Sequence, residues 1–145
     1  MPVEVSIEIS KAPDEVFSYV ATPTHAFVWR STLMERTPTP REAIRVGSTF
    51  REQSKLLDHI LETTYEVIEW IPPQRVTYKS IVGAVPSLVC LRFAPTAEGT
   101  RFTMRVEQSL DLLFPQGKAL AMRATQRIMH VDLLTLKDVL ENGSP

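Results

Sequence analysis

The sequence has 145 residues, close to the commonest size of a single domain. Its 16 basic side chains against 17 acidic ones give a net charge of −1, without the basic excess of a nucleic-acid binder. With 43% hydrophobic residues, 23% charged residues and one cysteine, Cys90, the composition excludes intrinsic disorder and a disulfide scaffold.

Val3, Val5, Ile7 and Ile9 alternate with Glu4, Ser6, Glu8 and Ser10, the period of a half-buried strand. Glu4 and Glu8 also interrupt the apolar run an export signal needs, so a soluble cytoplasmic protein is the expectation. The most apolar stretch, residues 81–91, is too short to span a bilayer. Pro13 suits the first position of a short helix, with Asp14 and Glu15 in its first turn and Val16, Phe17 and Val20 on its apolar face. Pro23 ends it, and Thr24 is placed to cap a second short helix reaching Trp29. A short strand is expected over 33–37, before the Pro38 and Pro40 breaks, and 46–48 reads as a turn.

Strands follow over 49–57 and 60–70, with Asp58-His59 as the hairpin turn, then over 75–82 and 88–94. Residues 97–99 make the next turn, and Phe102, Met104 and Val106 alternate with Arg101, Thr103, Arg105 and Glu107 in a last strand. After Pro115 the period changes. Met122, Met129, Leu133, Leu136 and Leu140 share one helical stripe, and Gly143 is a C-terminal cap, so one helix of about 25 residues closes the chain. No linker divides the sequence, and 1–145 reads as one domain. The fold class is α+β: a curved antiparallel sheet of about six or seven strands, with two short helices, wrapped around one long C-terminal helix. The space between sheet and helix is the candidate site.

In this order and spacing the elements resemble the START-like, helix-grip superfamily, in particular the polyketide cyclase/dehydrase and lipid-transport group. The resemblance rests on the opening 3–17, on Trp29 at the end of the second helix, and on the Val46-Gly47-Ser48 turn. It continues through the central strand and Pro-Pro turn of 65–76, the late hairpin of 98–103 and the helix end of 133–141. It implies the helix-grip fold and a ligand held between sheet and helix. The superfamily includes lipid and sterol carriers, hormone-binding proteins, polyketide aromatases and cyclases, and chaperone regulators, so activity is left open.

The residues themselves carry no catalytic signature. His25, His59 and His130 are far apart and have no metal-ligand spacing, and the cysteines of an iron–sulfur site are missing. No nucleophile elbow or phosphate loop is present, so no cofactor is called for. Cys90 faces away from Val89 and Leu91. Arg101, Arg105 and Glu107 belong to the outer face of the sheet, and Lys118, Arg123 and Arg127 to the outer face of the helix.

By alternation, the inner face carries Leu61, Thr63, Tyr65 and Val67, then Val76, Tyr78 and Ser80, then Val89, Leu91 and Phe93, and finally Phe102, Met104, Val106 and Gln108. The helix adds Met122, Gln126, Met129 and Leu133, while Trp29 and Phe27 close one end. The ligand-binding candidates are Trp29, Tyr65, Tyr78, Ser80, Phe102, Met104, Gln108, Met122, Gln126 and Met129. Such a lining suits a small hydrophobic molecule bearing a few oxygens.

Tyr65 and Tyr78 are the candidate catalytic acids of a cyclase or dehydrase. No carboxylate falls inward on this register; Glu35, Glu52 or Glu69 reaches the inside only if the register slips by one residue. Three functions are therefore carried forward: a hydrophobic-ligand binder, a tyrosine-dependent cyclase or dehydrase, and a protein-interaction module without a ligand. No nucleic acid or membrane span is expected among the partners, and a homodimer is left open.

Overall fold

The alternation of the first strand is borne out: Val3, Val5 and Ile9 are buried on one side of β1 (Val3–Ile9). The structure is a computed structural model that describes residues 2–39 and 44–143. The remaining strands are β2 (Leu33–Thr39), β3 (Thr49–Leu56), β4 (His59–Ile71), β5 (Arg75–Val82), β6 (Ser87–Pro95) and β7 (Thr100–Gln108). They form one antiparallel seven-stranded sheet in the order β1-β7-β6-β5-β4-β3-β2. The sheet curls into a half-barrel around the long helix, as the sequence pattern predicts.

β1 and β2 lie at opposite edges, so the chain between them must cross the concave side. It crosses as α1 (Pro13–Ala21) and α2 (Ala26–Trp29). Pro13 stands in the first turn of α1 and Val16, Phe17 and Val20 are buried beneath it. Thr24 does not cap α2. A single 3-10 turn, Pro23–His25, precedes that helix, and no side chain caps it. Pro23 sets the turn through its fixed φ. His25, expected on the surface, is half-buried: its Nδ1 lies 3.0 Å from the Tyr19 carbonyl and its ring stacks on Tyr19 at 4.1 Å.

β2 runs two residues beyond expectation and contains Pro38. An edge strand tolerates proline because its outer N–H groups need no partner. The β3–β4 turn is Leu57-Asp58, one residue earlier than expected. Leu56 pairs with His59, and Leu57 takes the left-handed conformation at φ 56°. Register shifts interrupt the β4–β5 ladder at Thr64/Tyr65 and Val67/Glu69. Such bulges bend a strand and re-aim its side chains.

α3 (Lys118–Asn142) is the long helix, 25 residues as its period predicts. Met129, Leu133 and Leu136 are buried against the sheet with Phe93 and Phe102. Burying each large apolar side chain is worth about 1.5–3 kcal/mol. Gly143 ends the helix in the left-handed conformation, its N–H donating to the Val139 carbonyl at 3.0 Å. The C-terminal end is tied to β1: Lys137 Nζ donates to the Glu8 carbonyl at 2.7 Å, and Glu141 accepts from the Ser10 N–H at 2.8 Å. A smaller apolar cluster of Leu56, Leu61, Val85, Leu110 and Ala121 closes the other end. Among the described residues no helix is long and apolar enough to cross a membrane.

Candidate functional site

Residues paired directly across an antiparallel ladder share a face. Phe50 pairs with Tyr65 and Glu52 with Thr63, so β3 turns Phe50 and Glu52 inward. Glu52 is 4% exposed. No slip of β4 is involved; the inward carboxylate follows from the phase of its own strand. Arg30, the residue after α2, donates from Nη1 to Glu52 Oε1 at 2.8 Å. Arg36 of β2 places Nε 3.4 Å from the same oxygen, with its guanidinium 4.3 Å above the Phe50 ring. Burial works against the Arg30 charge, but Glu52 and the phenols of Tyr78 and Tyr65 outweigh it and raise its pKa.

Phe50, Tyr65 and Tyr78 form one aromatic group beside these charges. Phe50 stacks on Tyr65 at 5.3 Å, and Tyr78 meets Phe50 at 5.1 Å and Tyr65 at 5.0 Å, both edge-on. Burial, with the Glu52 carboxylate adding to it, pushes both phenols above their ordinary pKa; Arg30 opposes the shift. Both are therefore neutral hydrogen-bond donors at physiological pH. Asp132 of α3 faces them, 6% exposed, accepting from the Ser31 N–H at 3.2 Å. Burial raises its pKa, against the pull of Ser31 and Arg30.

Two chambers flank this group and share Tyr78 as a wall. The first holds about 60 Å³ and is mainly apolar, bounded by Val20, Val67, Trp70, Val76 and Leu91. The second holds about 80 Å³ and is the more polar of the two, reaching Arg30, Glu52, Tyr65, Gln108, Thr125 and Asp132 among apolar side chains such as Leu61 and Val89. Each is smaller than the roughly 150 Å³ apolar cavity that accepts a benzene. A ligand of lipid or polyketide size must widen them, and Tyr78 is the side chain that their linings share.

The sequence-derived candidates divide. Tyr65, Tyr78, Met104, Gln108 and Met129 line the polar chamber. Ser80 does not: its hydroxyl accepts from the Ser87 N–H at 2.8 Å within the β5–β6 hairpin, and it borders a shallow outer groove. Phe102 and Trp29 are sealed in the core, meeting edge-on at 6.1 Å. Met122 is half-buried where the two apolar clusters meet. Gln126 is a correction. It lies exposed with Arg123, Arg127 and His130, because Ala121, Thr125, Met129 and Asp132 form the inner stripe of α3. Phe27 is also corrected: it is 46% exposed and closes nothing.

Sequence reasoning missed Arg30, Arg36, Asp132 and Trp70, and it brought Glu52 inward only through a slip of register that does not occur. Asp132 was available, three residues after Met129 on the inner stripe. Trp70 was not, because the Val67/Glu69 shift turns it inward, where its ring meets Phe17 at 5.1 Å. Among the described residues no group of three His, Cys, Asp or Glu side chains is placed to hold a metal. Thr77 Oγ1 lies 3.5 Å from Cys90 Sγ.

Residues 2–141 match the family model described as polyketide cyclase/dehydrase and lipid transport. No curated protein matches the chain. A crystal structure of a Thermus thermophilus protein superposes with a TM-score of 0.81 at 17% identity, covering 100% of both chains. A Deinococcus radiodurans protein superposes at 0.76 with 14% identity, over 99% of both chains. A protein from the dynemicin biosynthetic locus superposes at 0.72 with 18% identity, over 99% of this chain and 48% of its own.

Proposed function

The chain belongs to the polyketide cyclase/dehydrase and lipid-transport family, and from that premise we propose that it binds a small, largely apolar molecule bearing oxygen functions between sheet and long helix. One observation carries this reading. The inner face holds Arg30, Glu52 and Asp132 around a chamber, where apolar side chains of similar volume would pack at less desolvation cost. Buried charges beside a cavity are a signature of a functional site. The apolar chamber takes hydrocarbon, and Tyr65, Tyr78, Gln108 and the charged group meet the ligand's oxygens. The family and the dynemicin-locus neighbour support a lipid- or polyketide-like class.

Turnover is a second reading, favoured by Asp132. A carboxyl and two neutral phenols on one chamber supply an acid and a base for dehydration or cyclisation. Thermal stabilisation by a panel of fatty acids, sterols and aromatic polyketides tests the binding reading, because ligand binding raises stability by mass action. Ala21→Leu fills the apolar chamber and Thr125→Met the polar one. We expect stabilisation by at least one class, lost in one or both filled variants. Stabilisation that survives both would place the ligand elsewhere. Silence across the panel would favour a protein-interaction role.

A further inference from the structure

The described lining of the apolar chamber carries a positive charge. Among the described residues lining it, Arg36 is the one charged side chain and none is acidic. Arg36 and Arg30 share a single oxygen of Glu52, and Arg30 holds it more closely, at 2.8 Å against 3.4 Å. Arg36 Nε is buried and has no hydrogen-bond partner among the described residues. Its guanidinium covers the Phe50 face at the chamber wall. The Tyr78 phenol, another donor, borders the same space. A guanidinium set against apolar walls and short of acceptors is a site for an anion that brings its own hydrocarbon.

We propose that the apolar chamber selects a small apolar carboxylic acid, its carboxylate on Arg36 and its hydrocarbon against Val67, Trp70, Val76 and Leu91. This rests on reading the chambers as a ligand site and adds the charge of the ligand. Arg36 is then the specificity-determining residue. A neutral amide or alcohol of the same shape gains the apolar contacts and can accept one hydrogen bond, but it brings neither the charge nor the paired oxygens of a carboxylate.

The probes are 2-naphthoate and its neutral isostere 2-naphthamide, titrated by NMR against the whole chain and its Arg36→Gln and Arg36→Lys variants. We expect naphthoate to bind about tenfold more tightly than naphthamide, the size of one charge-assisted hydrogen bond. The preference should fall within about threefold in Arg36→Gln and persist in part in Arg36→Lys. Shifts at the Trp70 indole should locate the site, and Ala21→Leu should abolish them. Equal affinities for acid and amide, or a preference that survives Arg36→Gln, would overturn the proposal while leaving the ligand site standing. Binding of neither probe would overturn the proposal, and the panel of fatty acids, sterols and aromatic polyketides would still decide the ligand site. Should Arg36→Gln not fold, the acid–amide comparison in the natural chain and in Arg36→Lys decides the matter.

Discussion

Arg30 and Glu52 join at 2.8 Å across 22 residues of sequence, tying the end of α2 to β3 inside the curve of the sheet. The pair ties the chain just after the short helices to the sheet and puts opposite charges on the wall of the polar chamber.

Breaking that pair should be costly. Glu52→Ala leaves two guanidinium groups without their shared acceptor, and urea unfolding should show a loss of about 3 kcal/mol. The triple change Arg30→Met, Arg36→Met and Glu52→Leu removes all three charges and should lose much less. A triple variant as unstable as Glu52→Ala would show that the group contributes packing rather than compensated charge.

Asp132 sets a pH dependence with a definite sign. Burial raises its pKa in the folded chain above the ordinary value of 3.8, so the folded state holds the proton more tightly than the unfolded state. Its contribution is fully present below the unfolded value and is lost as pH rises toward the folded one. Asp132→Asn keeps an acceptor for the Ser31 N–H and cannot ionise. Thermal melts should therefore show the variant matching the natural chain at acid pH and exceeding it at neutral pH. A variant less stable at neutral pH would show that the Asp132 charge is stabilised in place.

Tyr65→Phe and Tyr78→Phe separate binding from turnover. In a binder each should weaken an oxygen-bearing ligand by about fivefold, one neutral hydrogen bond. In a catalyst one of them should abolish product formation while the ligand still binds, read by pairing calorimetry with product analysis.

Gly99 stands where β1 turns toward α1. A Cβ there would overlap the Ile9 carbonyl oxygen and lie 2.8 Å from the Lys11 nitrogen, both backbone atoms that cannot step aside. Gly99→Ala should cost about 3 kcal/mol in chemical unfolding, at the upper end of overpacking effects. Gly117→Ala, with nothing nearer than Phe114 Cβ at 3.8 Å, should cost only the cap preference for glycine, about 1 kcal/mol or less.

The fold was readable because its strands alternate and its long helix repeats: β1, β4 to Val67, β6 and β7 bury the residues their period assigns inward, except Ile7 and Gln108, which are half-buried. The apolar part of the site was readable for the same reason. Its charged part was not. Glu52 and Asp132 occupy inward positions where a hydrophobic pattern expects apolar residues, so function and alternation conflict at those points. β3 shows poor alternation largely because Glu52 and Ser54 take inward positions beside Phe50 and Leu56. Gln126 was misplaced by one step around α3, which moves a side chain about 100°. Pro40 and the sequence up to Ala43, where irregular structure is expected, lie outside the described residues.

The most direct measurement is native mass spectrometry of the purified chain, followed by denaturation and extraction of what it carries. We expect one small apolar, oxygen-bearing molecule per chain, reduced or absent in Ala21→Leu and Thr125→Met. A chain that carries nothing, takes up nothing from a panel of lipids, sterols and aromatic acids, and behaves identically in both filled variants would contradict a ligand site between sheet and helix.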